Sequence, residues 1–93
     1  MSRRLERDIE RAATILREAG AAEVFVFGSA AEGAARRGSD LDLAVRGLPP
    51  EVFFRAMSRV TAALCRQIDL IDLDETNPFT EYLVKRGELR RVA

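Results

Sequence analysis

Apolar residues recur along the chain with two different periods. Leu5, Ile9, Ala12, Leu16 and Ala19 repeat at the helical spacing, which predicts a helix from Ser2, a plausible N-cap, to about Ala19. Gly20 supplies its stop. Glu23 to Phe27 is short and rich in Val and Phe, the pattern of a buried strand, and Gly28-Ser29 breaks it. Ala30 to about Ala35 is read as a short helix, and Arg36-Arg37-Gly38-Ser39 as a loop.

From Asp40 to Arg46 the period changes to two. Leu41, Leu43 and Val45 face one way, and Asp40, Asp42, Ala44 and Arg46 face the other. After a turn at Gly47 and Pro49-Pro50, residues Glu51 to Arg66 return to helical spacing, with Phe53, Met57, Val60 and Leu64 on one side. Ile68 to Leu73 reads as a third strand. Asn77-Pro78 opens a last helix reaching about Arg86, which Gly87 ends. The order α-β-α-β-α-β-α predicts a small α/β domain: a mixed sheet of three or four strands with helices packed on it, formed by residues 1–93 as one unit.

Composition narrows the chemistry. A chain of 93 residues has room for one modest core, so a substrate platform falls to a loop, a second copy or a partner protein. Fifteen basic and fifteen acidic side chains cancel, which argues against broad nucleic-acid binding and leaves little charge to oppose self-association. With no histidine and one cysteine, Cys65, an internal disulfide and a histidine-activated nucleophile are excluded, and the near absence of Cys/His ligands argues against zinc. Cys65 itself is expected as a small core residue. Any metal falls to carboxylates, whose hard oxygens suit magnesium or manganese. No apolar run is long enough to span a bilayer and no signal peptide is evident, so the expected location is the cytoplasm.

The candidate chemistry sits in three places. Gly28, lacking a side chain, lets a phosphate approach the backbone, and the Ser29 hydroxyl can donate to a phosphate oxygen. Asp40 and Asp42 lie two apart on a strand, so both carboxylates share one face, with Cα atoms about 6.6 Å apart. That arrangement suits two divalent ions about 3.5–4 Å apart. On the third strand Asp69 and Asp72 point to opposite faces, so only one of them can join the pair. Arg36 or Arg37, and Ser39, in the intervening loop, are further candidates for phosphate contact.

Phe27-Gly28-Ser29, then Gly33, then Ser39-Asp40-Leu41-Asp42-Leu43 resembles the signature of the DNA polymerase beta-type nucleotidyltransferase superfamily. It is most similar to the minimal nucleotidyltransferases of bacteria and archaea. The resemblance implies that Asp40 and Asp42 bind two Mg2+ ions, with Mn2+ as a substitute. Asp69 would be the third carboxylate, and Gly28 and Ser29 would hold the triphosphate of ATP. It also implies a partner, a helical HEPN-type toxin that the transferase adenylylates as its antitoxin. Many relatives carry Arg directly after the Gly-Ser pair and again before Gly33, where this chain has Ala30 and Glu32. Fewer cations at those positions weaken the grip on a triphosphate, so a module that binds its partner without catalysis is the competing expectation. Transfer to an RNA end or a small molecule would call for a basic stripe or an added domain.

Overall fold

The computed structural model describes residues 3–28, 40–87 and 89–93. The expected short helix at 30–35 lies outside the described residues, as do Ser2, Ser29, Arg36 and Ser39. The elements are α1 (Arg3–Ala19), β1 (Glu23–Phe27), β2 (Leu41–Arg46), α2 (Pro50–Leu64), β3 (Ile68–Asp72), α3 (Pro78–Arg86) and β4 (Arg90–Arg91). They form one four-stranded sheet in the order β3-β2-β1-β4. β1 runs antiparallel to both β2 and β4, whereas β2 and β3 run parallel. The sheet is therefore mixed.

The alternation read in the sequence sorts side chains onto two faces. Val24, Val26, Leu41, Leu43, Val45, Ile68 and Leu70 pack with Leu5, Ile9, Ala12 and Leu16 of α1 and with Ala56 and Val60 of α2. Leu41 and Leu43 are fully buried there. Truncating such a leucine to alanine costs about 2–5 kcal/mol, so this layer contributes a large part of the stability. α1 ends where the Gly20 N–H donates to the Arg17 carbonyl and the Ala21 N–H to that of Leu16. This return of the last carbonyls lets the chain turn directly into β1.

The second face differs from the sequence reading. Ala44, which the alternation places on the face of Asp40, Asp42 and Arg46, is fully buried in a smaller cluster with Phe27, Leu73 and Leu83. α3 supplies Leu83 and so covers the middle of that face. Asn77 caps α3, its side chain accepting from the Thr80 N–H at 3.0 Å while the Thr80 hydroxyl accepts from the Asn77 N–H at 3.2 Å. Thr80 also donates to the Glu75 carbonyl at 2.7 Å and is 97% withdrawn from solvent, being only 3% exposed.

One further expectation is corrected. α2 stops at Leu64, and Cys65 is an exposed free thiol in a left-handed conformation, φ 50°. The apolar stripe runs from Val60 to Leu64, so Cys65 falls one step off it. β4 is a short edge strand that no local pattern in the sequence predicts. Arg90 and Arg91 are exposed, but their backbone pairs with Val26 and Phe25 of β1. Val92 and Ala93 then donate to the Val24 carbonyl, and the Ala93 carbonyl accepts from the Val24 N–H. Charged side chains on a short strand are a usual way to finish a sheet edge.

Asn77→Ala removes the cap of α3 and is expected to cost about 1 kcal/mol. Urea unfolding measures this as a lower midpoint with an unchanged slope.

Candidate active site

Strand direction assembles the site. β1 ends, and β2 and β3 begin, at one end of the sheet, so Phe27-Gly28, Asp40-Leu41-Asp42 and Ile68-Asp69 meet there. In the register, Asp42 lies between Phe27 of β1 and Asp69 of β3. Residues in register on neighbouring strands about 4.8 Å apart point to the same face, so the Asp42 and Asp69 side chains emerge side by side. Asp40 stands one residue before β2 and is exposed, as is Asp69, while Asp42 is half-buried.

The register separates Asp69 from its sequence competitor. Asp72 is aligned with Val45, whose side chain packs in the α1/α2 layer, so Asp72 lies on the face away from Asp42. Its carboxylate accepts from the Asp74 N–H at 2.9 Å, a local turn contact.

The three acids repel one another. The Asp42 carboxyl is held above the ordinary carboxylate range, first by burial and then by the charges of Asp69 and Asp40. Among the described residues, no three His, Cys, Asp or Glu side chains are gathered closely enough to hold a metal ion. The donor chemistry fits a hard divalent cation all the same, since Asp40, Asp42 and Asp69 come to one end of the sheet and offer only carboxylate oxygens. The residues that would hold such an ion are Asp40, Asp42 and Asp69.

Gly28 is required here for two reasons. Its φ of 64° is left-handed, and a Cβ at this position would collide with Oδ2 of Asp42. The glycine therefore lets the backbone lie directly against the central carboxylate. Beside it, the Phe27 ring meets Phe79 of α3 edge-on, with centroids 6.1 Å apart, and walls the site on the α3 side. In the sequence Phe27 reads as a buried strand residue and as the start of the Phe-Gly-Ser run, not as a wall, because Phe79 approaches through tertiary packing. Ser29, Arg36 and Ser39, the other expected nucleotide contacts, lie outside the described residues. A wider concavity of ≈ 890 Å³ lies between α1 and α2, lined by Arg7, Arg11 and Arg59. None of the three acids lines it, so the site is placed by the carboxylates rather than by this hollow.

With this geometry in place, comparison with known proteins is informative. The chain belongs to the polymerase beta nucleotidyltransferase family, whose model matches residues 10–89. Among solved structures, it is similar to a protein assigned as a minimal nucleotidyltransferase: 27% identity, TM-score 0.73, covering 96% of this chain and 91% of the other. It also shares its fold with a chain of a toxin–antitoxin structure containing AMP-PNP, at 24% identity and TM-score 0.70, over 92% of this chain and 70% of that one. A third fold relative comes from a complex of a tri-AMPylated Shewanella oneidensis HEPN toxin with its MNT antitoxin. It shows 18% identity and TM-score 0.68, over 94% and 70% of the two chains. No curated protein matches the chain.

Two outcomes check the site. Because the Asp42 pKa is raised on folding, the native state binds more protons than the unfolded state between the two values, and stability falls as pH rises through that window. Asp42→Asn should therefore raise the melting temperature of the metal-free protein by a few degrees at neutral pH. Mg2+ should raise it for the wild type and leave the variant unchanged. Gly28→Ala forces a side chain into a left-handed conformation at about 1–2 kcal/mol and pushes on Asp42. Calorimetry reads the lower melting temperature, and the Mg2+-induced rise should be lost with it.

Proposed function

We propose that residues 1–93 act as one nucleotidyltransferase domain that moves an adenylyl group from ATP to a hydroxyl of a partner protein in the cytoplasm. In this reading the partner is a HEPN-type toxin and the chain is its antitoxin. The observation that carries the transferase part is the register that sets Asp69 beside Asp42, next to a glycine whose missing side chain leaves the central carboxylate open. The fold relatives in toxin–antitoxin complexes, one with an AMPylated toxin and one with AMP-PNP, support the choice of partner and nucleotide. No helix among the described residues is long and apolar enough to cross a membrane.

Each residue has a part in the proposed chemistry. Gly28 and Ser29 receive the triphosphate along the backbone. Asp40, Asp42 and Asp69 would hold divalent ions, Mg2+ in this reading, which would neutralise charge on the transferring phosphoryl group. The acceptor oxygen attacks the α-phosphorus in line, the bond to pyrophosphate breaks, and Asp69, exposed at the sheet end, takes the hydroxyl proton. The protein contributes mainly position, fixing donor and acceptor in a reactive geometry.

A second reading has its own observation. The three acids do not form a gathered metal-holding group among the described residues, and Ala30 and Glu32 stand where many relatives carry Arg. A module that neutralises its partner by binding alone fits both facts.

One experiment separates the two. The protein is incubated with α-labelled ATP, Mg2+ and the protein encoded by the adjacent gene. Transfer predicts a labelled partner, and Asp42→Ala should lower labelling at least a thousandfold. A partner that stays unlabelled, yet is bound and neutralised equally by wild type and by an Asp40→Ala/Asp42→Ala double variant, establishes the binding module instead.

A further inference from the structure

Among the described residues the sheet has one edge closed by a short charged strand and one edge left open. β4 covers the outer side of β1, but among the described residues nothing pairs with the outer side of β3. A groove of ≈ 480 Å³ follows that open edge. Phe53 and Phe54 of α2 flank it from one face, Phe79 of α3 from the other, and Leu70 of β3 lies between them. Phe54 is 71% exposed and Phe79 48%, so the groove presents large rings to solvent. Its polar rim is acidic, formed by Asp72 and Glu75.

Three features of the groove identify its occupant. An unpaired strand edge offers a row of backbone donors and acceptors to an extended chain. Aromatic walls on both sides favour apolar side chains that alternate above and below the added strand. The acidic rim favours basic flanks. The groove is also continuous with the acids: Leu70 directly follows Asp69, and Phe79 touches Phe27, the register neighbour of Asp42.

We propose that this groove binds an extended, apolar, basic-flanked segment of the acceptor protein as an added strand on β3, presenting a nearby hydroxyl to Asp69. The term acceptor rests on the transferase reading above. The docking geometry does not.

The test uses a short peptide of alternating valine and tyrosine with paired lysines at each end, and a control with glutamates in place of the lysines. Calorimetric titration should show the lysine-flanked peptide binding at least tenfold more tightly than the control, and at least tenfold more tightly to wild type than to Phe54→Glu. Circular dichroism checks that the variant is folded, and its exposed position favours that result. Hydrogen exchange of the Leu70–Asp72 amides should slow on peptide binding. Equal affinity for the two peptides, equal affinity of the two proteins, or unchanged exchange at β3 overturns the proposal. So does a wild-type dimer abolished by Phe54→Glu, because the groove then belongs to a second copy. Binding of a fluorescent ATP analogue with Mg2+ is measured in parallel. Its absence, with peptide binding intact, defeats the transferase reading and leaves the groove standing. Its presence, with no effect of Phe54→Glu on the peptide, defeats the groove alone.

Discussion

The whole arrangement depends on a carboxylate held where carboxylates do not want to be. Asp42 is half-buried, has a second acid beside it on the next strand and a third two residues earlier, and its proton affinity rises accordingly. Left to itself, the cluster would push apart. It is held because Leu41 and Leu43, on either side of Asp42 in sequence, are fully buried on the opposite face. Burying two leucines is worth several kcal/mol, more than mutual repulsion among partly solvated acids removes. The hydrophobic layer under α1 and α2 thus sets the register, and the register sets the electrostatics. Natural proteins commonly trade stability for function at such points.

Much of this was legible in the sequence because it follows from periodicity. The helix ending at Ala19, the strand from Glu23 to Phe27 and the helix from Pro78 to Arg86 coincide with the structure, since each has a clear stripe or alternation and a Gly or Pro boundary. The same period-two logic put Asp40 and Asp42 on one face. The choice between Asp69 and Asp72 could not be made from the strand alone, because it requires the register to β2.

The misreadings share one cause, that tertiary partners are not written in local pattern. Ala44 looked like part of a polar face until α3 was placed over it. Arg90 and Arg91 carry no strand signal, and their strand exists because β1 offers an unpaired edge. Cys65 has a core residue's chemistry but sits where the chain reverses out of α2. The Phe27–Phe79 contact joins residues more than fifty positions apart, beyond any window of local pattern.

The position of Cys65 gives experimenters a practical handle. It is the single cysteine of the chain, its thiol is exposed, and it precedes Asp69 by four residues at the acidic end of the sheet. A maleimide dye would therefore attach at one defined spot without engineering. Its fluorescence could report events at the carboxylates in real time while leaving the core leucines and the aromatic walls untouched.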